Sequence, residues 1–513
     1  MCLGRLGQSI DINLVDIRQP FSNFLFVDTL LPNGDYGAVR RLFSLARRGD
    51  GKTLILEDIE AVGAVADEIV ELSTLFPGYH CDGVKRLTFW KQSCTSTQGI
   101  EHLSDEDLLG YAIIKQDVVS DRPPVWHIFE SVFRKYPHEH NCVPGEAPFM
   151  VRSGNRIFTV NGVMYCQQNG LNKACAQVAL RSLLSRILLN EDLPYSIMNQ
   201  IAGENNPGFN PAEGLDTNQI RCILDHYKIL YDDFDYMADN TAAIPYSRIL
   251  YAGIENSLGG LLGFELSGAG AHGEKHIIPF YGHTFNQDTW VPRAGLAYFH
   301  VGENTRYISS EEWLSSFIGH DDNFGSNYCV PRKFLEYGQV KYVVALRPPN
   351  TEYGAIEAEA IAVDCLYSTI HFLRPHDNYW IRRLIHHIGE QDVVLRTLCL
   401  NRNQYVGHLR ECRDWTSNSE AEAILDRFVK VLPEHLWMVE ISIPELFSAN
   451  YRKLGELVLD ARVSLVPYPP DEPLWVIARF PGTYLINQSP TTSSTSFLIL
   501  PSALESHTPL YRG

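Results

Sequence analysis

Cys175, His276 and Asp288 are the residues of this chain whose types and surroundings best suit acyl-transfer chemistry. Cys175 follows the polar approach Cys166-Gln167-Gln168-Asn169-Gly170 and opens the apolar run Ala176-Gln177-Val178-Ala179-Leu180, so a helix is expected to begin at the thiol. A thiolate is a far better nucleophile than a thiol, and both a helix start and a neighbouring imidazole favour it. His276 opens the run His276-Ile277-Ile278-Pro279-Phe280-Tyr281-Gly282, read as a strand, and Asp288 stands before Thr289-Trp290. The imidazole would take the thiol proton, and a carboxylate on its other nitrogen would orient it. Gln168 is the side-chain donor expected for an oxyanion, together with the Cys175 amide. Gln167 is a second candidate for that role, and His272 and His283 compete with His276. Trp290 would shield the imidazole–carboxylate pair from water.

The elements that must position these groups are legible in part. Residues 1–145 read as a separate α/β unit, with helical periodicity over Asp35–Leu45 and Leu56–Phe76 and strands at Lys85–Lys91, Leu108–Lys115 and Val125–Phe133. The segment His138-Glu139-His140-Asn141-Cys142-Val143-Pro144-Gly145 reads as a connection. Residues 146–350 contain every candidate of the triad. There, Arg156–Val160 is a strand with Asn161-Gly162 as its hairpin turn. Ala174–Leu189 is a helix with Arg181, Ser185 and Asn190 on its wetter side. Asn199–Gly214 is a loop at the rim of a cleft, and Asp216-Thr217 caps a helix running to His226. A short strand at Lys228–Tyr231, a helix at Tyr246–Asn256 and a buried strand at Gly260–Leu266 follow. A glycine-rich loop, Gly268–Glu274, leads to strands at His276–Tyr281 and Thr289–Ala297. In residues 351–513, His376–Gly389 and Ala421–Leu432 read as helices and Val393–Leu400, Trp437–Ile443 and Trp475–Phe480 as strands, with a loop at Ser489–Ser496. The expected class is α+β, a central domain flanked by mixed α/β terminal domains.

Composition narrows the function. A chain of 513 residues exceeds what one core usually serves. A net charge of −18, with no basic run longer than Arg40-Arg41 or Arg47-Arg48, argues against a nucleic-acid partner. No apolar stretch is long enough to span a bilayer, and Met1-Cys2-Leu3-Gly4-Arg5 does not read as a signal peptide. The scattered cysteines therefore read as reduced thiols of a cytoplasmic protein.

In order and approximate spacing, Gln168, Cys175, His276 with Gly282 six positions on, and Asp288-Thr289-Trp290 resemble the papain superfamily of cysteine peptidases. Gly214-Leu215-Asp216-Thr217 and the strand before His276 are most similar to the bacteriocin-leader-processing branch, which uses Asp as third member. The resemblance covers roughly residues 150–300. It departs from papain in having Ala176 rather than an aromatic residue after the cysteine, and a glutamine seven rather than six positions before it. It implies a papain-like fold in the central domain and a thiol hydrolase, a peptidase, acting on protein or peptide substrates. Cys175 would be the nucleophile, His276 the base, Asp288 the orienting acid and Gln168 the oxyanion donor. The terminal domains would select substrates, occlude the cleft or dock protein partners. Two other readings stay open: a papain-fold acyltransferase or amidase, transglutaminase-like or phytochelatin-synthase-like, and an inactive binding scaffold.

No cofactor or metal is expected. The glycines of residues 259–273 lack a phosphate-loop arrangement. His138, His140 and Cys142 read as a polar loop before a zinc site, and His386-His387 as structural. The polar run His320-Asp321-Asp322-Asn323-Phe324-Gly325 suggests a turn at the edge of the cleft, with calcium binding a lesser alternative.

Overall fold

The computed structural model describes the chain except residues 1–2, 19–21, 32–36, 121, 136–140, 190–191, 205, 207, 238–243, 269–270, 293–305, 376–377, 412–422, 424–425, 427–428, 467–473, 488–496, 502–505 and 512–513. The architecture is α+β, built on three large sheets of seven strands each. Within them the only parallel pair among the described residues joins Ile308–Ser309 to Val394–Asn401. No described helix is long and apolar enough to cross a membrane.

The first sheet runs in the order Ser9–Asp16, Thr53–Ile59, Tyr79–Trp90, Leu108–Val119, Val125–Phe133, Arg156–Tyr165, Ala147–Ser153. Residues 147–165, which the sequence reading places in the middle domain, thus belong to the N-terminal sheet. That reading also puts the hairpin turn at Asn161-Gly162, whereas the strand passes straight through both residues. Ser153 pairs with Arg156, so the chain reverses at Gly154, whose φ is +56°. Gly162 is needed for a different reason: a Cβ there would sit 2.5 Å from the Phe133 carbonyl oxygen. The helical periodicity from Leu56 resolves into the end of a buried strand, Thr53–Ile59, followed by a helix at Ala64–Leu75.

The second sheet has the order Gly325–Pro331, Leu314–Asp321, Ala271–Phe285, Gly260–Gly268, Val340–Arg347, Leu230–Asp235, and the short strand Asn141–Cys142 pairs with Ala271–Phe285. The stretch read as a loop before His276 is the start of this long strand, which pairs with Gly260–Gly268 beyond His276. The third sheet carries the C-terminal strands Val394–Asn401, His435–Ser442 and Trp475–Phe480 close to their expected places. The expected helix at Ala421–Leu432 and loop at Ser489–Ser496 fall largely or wholly outside the described residues.

One continuous core joins Ile55, Trp90 and Phe129 of the first sheet to Ala176, Leu180 and Leu183 of the Cys175 helix and to Leu261 and Ile277 of the second sheet. Burial on all sides explains why Arg181 departs from its expected wet face. Its side chain is 1 % exposed, and its guanidinium donates to Glu130 Oε2 (2.7 Å), Phe129 O (3.1 Å) and Cys166 Sγ (3.3 Å). A buried cation is tolerated where it is paired and hydrogen-bonded in this way. A separate core around Trp437, Leu366 and Leu457 lies under the C-terminal sheet.

Candidate active site

Cys175 is the first residue of the helix Cys175–Leu184, half-buried where the following turn is wholly buried. The loop leading to it is held by side chains. Asn169 Oδ1 accepts the backbone N–H of Leu171 (2.9 Å) and Asn172 (3.2 Å), and its amide donates to Glu68 Oε1 (3.2 Å). Gly214, at φ +84°, passes so close that a Cβ would lie 2.4 Å from the Lys173 carbonyl oxygen. Local hydrogen bonds of this kind fix a loop that has no ladder to hold it.

His276 lies on the long strand Ala271–Phe285, opposite Phe264, and its ring meets the Phe264 ring edge-on. The Cys175 side chain lies near enough to this imidazole to act on its charge. On Nε2 lies Asp322 Oδ1 at 3.0 Å, with Asp321 Oδ2 further away at 3.9 Å. Asp322 begins the turn that follows Leu314–Asp321. Asp321 shapes that turn by accepting the N–H of Asn323 (2.9 Å) and Phe324 (3.0 Å), and Gly325 closes it at φ +120°. Burial disfavours a charged ring, but the hydrogen bonds and negative charge of Asp322 and Cys175 outweigh it and push the His276 pKa up to about 10. At neutral pH the ring is therefore an imidazolium flanked by a carboxylate and a sulfur.

Thiol and imidazole both line a cleft of about 720 Å3 whose walls include Phe209, Leu215, Ile220, Phe264 and Tyr342 among polar residues. Of the expected loop Asn199–Gly214, residues 199–204 are instead the end of the helix Tyr195–Glu204. Asn206, Phe209, Asn210 and Gly214 line the cleft, and the Thr217 helix behind them is capped by the Asp216 side chain on the Gln219 N–H (2.9 Å).

Asp288 takes no part in this grouping. It is exposed, its N–H bonds Asn286 Oδ1, and the carboxylate at the ring belongs to Asp322. The physical reason is that Ala271–Phe285 ends in an exposed turn before Asp288, rather than folding back as another strand. Trp290 follows in the same turn and is 61 % exposed, so it shields nothing there. Residues 293–305, the rest of the strand expected from Thr289, lie outside the described residues.

Gln168 lies beside the site, its backbone N–H donating to Asp322 O (3.2 Å) and its side-chain amide to Asn172 O (3.4 Å). Gln167 is committed elsewhere. Its Oε1 accepts the Ile128 N–H (2.9 Å) and its carbonyl meets His127 Nε2 (2.7 Å). His272 pairs by backbone with Ser267 near the far end of the strand.

His283 belongs to a second grouping. It is wholly buried, its Nε2 lies 2.6 Å from Glu255 Oε1, and one donor atom each of Cys142, Glu255 and His283 lie within 4.8 Å of one another. Burial opposes charge here too, yet the charge of Cys142 and the bonds to Cys142 and Glu255 push the ring up to about 9. Glu255 also accepts two N–H bonds from Arg396, at 2.7 and 3.0 Å. Despite the cost of its burial, Arg396 and His283 hold its carboxyl down at about 2.

Among the described residues, two groups have donor atoms close enough to hold a metal ion: His276 with Asp321 and Asp322, and Cys142 with Glu255 and His283. His138 and His140, weighed with Cys142 as zinc ligands, lie outside the described residues. No protein-family model matches this chain, and no curated protein matches it.

Proposed function

We propose that the protein is a thiol hydrolase with a papain-like central domain, and specifically a cysteine peptidase. The observation that carries this reading is the Cys175–His276–Asp322 arrangement at the wall of an open cleft. A thiol on a helix start lies near an imidazole on an antiparallel strand, and the Asp322 carboxylate lies 3.0 Å from that ring's Nε2.

In this reading Cys175 Sγ, as thiolate, attacks the scissile carbonyl carbon and the carbonyl electrons move to oxygen. The N-terminal end of the Cys175 helix stabilises the resulting oxyanion, with Gln168 as the candidate side-chain donor. Collapse of this intermediate breaks the C–N bond, and the His276 imidazolium gives its proton to the leaving amine. Neutral His276 then takes a proton from water as it attacks the thioester, which releases the carboxylate and regenerates thiolate and imidazolium. Asp322 holds the ring in register throughout. The terminal sheets, continuous with or packed on this domain, are the surfaces proposed to select substrates or meet protein partners.

The test is a peptidyl electrophile with mass-spectrometric mapping, followed by a peptide-library cleavage assay. Modification at Cys175 and cleavage products that vanish in Cys175→Ala support the reading. An unmodified Cys175 in folded protein refutes it and favours a binding scaffold. Transfer of the acyl group to an added amine, in place of water, moves the assignment to an acyltransferase.

A further inference from the structure

The grouping around His283 has no place in that mechanism, since it does not line the cleft. Its three members come from separate elements: Cys142 from Asn141–Cys142, Glu255 from the end of the helix Tyr246–Glu255, and His283 from the long strand. One donor atom of each lies within 4.8 Å of the other two. We propose that Cys142, His283 and Glu255 form a structural site for a divalent transition ion of the zinc class.

The donor set selects that class. One thiolate, one imidazole and one carboxylate suit a borderline-soft ion and do not suit calcium or magnesium, which take oxygen. Thiolate and carboxylate would neutralise a divalent ion, and Arg396 stays paired with Glu440 at 3.1 Å, a carboxylate it shares with Lys453 at 2.8 Å. The two N–H bonds from Arg396 to Glu255 Oε2 orient the carboxylate and leave Oε1 directed at the ring, the kind of support that ligating carboxylates receive from their surroundings. His283 Nδ1 is buried without a hydrogen-bond partner. His283 and Glu255 are buried and Cys142 is half-buried, so the three side chains would enclose most of a bound ion and leave its fourth tetrahedral position to water. It would tie the strand leading from the first sheet to the second sheet and, through Arg396, to the third.

The experiment is zinc analysis of the full-length protein, then chelation and titration with cobalt(II), for wild type, Cys175→Ala and Cys142→Ser. Supporting results are stoichiometric metal with thiolate-to-cobalt absorption that persists in Cys175→Ala and disappears in Cys142→Ser. Absorption that instead follows Cys175, or metal that stays substoichiometric with no such absorption in wild type, overturns the proposal. Should Cys142→Ser fail to fold, iodoacetamide labelling of wild type decides: zinc must protect Cys142 from alkylation, and equal labelling with and without zinc refutes the site. None of these readouts depends on peptidase activity, so the two proposals stand or fall separately.

Discussion

One strand, Ala271–Phe285, carries two histidines that each sit between a cysteine and a carboxylate, and the two groupings differ in what surrounds them. His276 meets Cys175 and Asp322 at the wall of a cleft of about 720 Å3, its side chain 18 % exposed. His283, itself without exposure, meets buried Glu255 and half-buried Cys142. The local electrostatics are nearly the same, since both rings are held charged well above the ordinary imidazole range. A raised imidazole pKa beside a thiol therefore does not by itself mark a catalytic centre. What differs is the setting: Cys175 and His276 line the cleft, whereas His283 and Glu255 are buried and Cys142, half-buried, does not line it. The carboxylates differ accordingly. Asp322 comes from a turn at the cleft edge, whereas Glu255 is locked by Arg396 within the interior.

The largest expected effect separates the two thiols. Cys175→Ala should fold normally and lose all turnover and electrophile labelling, while Cys142→Ala should retain labelling at Cys175. Comparable labelling of both thiols in native wild type would erase the distinction. Next in size is the acid. Asp322→Asn should lower kcat/KM by roughly 10²–10⁴-fold, the range typical of a disabled acid–base group, and Asp288→Asn should leave it unchanged. The reverse ranking would return the orienting role to Asp288.

That ranking reflects what the sequence could and could not convey. Cys175 and His276 were legible because their signals are local: a polar approach before an apolar helical run, and a histidine in an apolar strand. Asp322 was visible only as part of the polar run His320–Gly325. Its pairing with His276 depends on how Leu314–Asp321 lies beside Ala271–Phe285 in the sheet, and no local pattern encodes that register. The expectation of Asp288 rested on a strand read over Thr289–Ala297 as well as on the resemblance, whereas Asp288, Thr289 and Trp290 are exposed and lie outside any strand. The pairing of Cys142 with His283 is of the same non-local kind. In the C-terminal third three strands and the helix at Tyr379–Glu390 were readable from apolar runs, but the helix Ala355–Leu373 and the strand Gly455–Asp460 were not. Nor was the core shared by the first sheet and the Cys175 helix, because it is made between segments distant in sequence.

The next effect falls on stability and belongs to the buried grouping. Arg396 contacts Glu255 and Glu440 and also donates to Tyr511 O (2.8 Å). Arg396→Met leaves buried Glu255 with His283 as its remaining partner, while Glu440 keeps Lys453 at 2.8 Å, and removing one member of a buried pair typically costs about 3–5 kcal/mol. Urea denaturation should show that loss while labelling of Cys175 in the folded protein continues. Unchanged stability would mean that the interior grouping is less constrained than its geometry indicates.

The smallest effect is a pH dependence that belongs to the cleft. His276 has a raised pKa, so the folded state binds its proton more tightly than the unfolded chain does. The stability from this proton is fully present below the ordinary imidazole value of 6.5 and is lost as pH rises through about 10. The same titration removes the imidazolium that protonates the leaving amine, so kcat/KM should fall along a basic limb near 10. Asp322 is the main source of that elevation, by hydrogen bond and by charge, against the opposing effect of burial. Asp322→Asn should therefore shift the limb toward neutrality and flatten the alkaline loss of stability, whereas Glu255→Gln should move neither at this site. A basic limb that stays in place in Asp322→Asn would show that the carboxylate beside His276 does not control its proton, and the contrast between the two groupings would then rest on their settings alone.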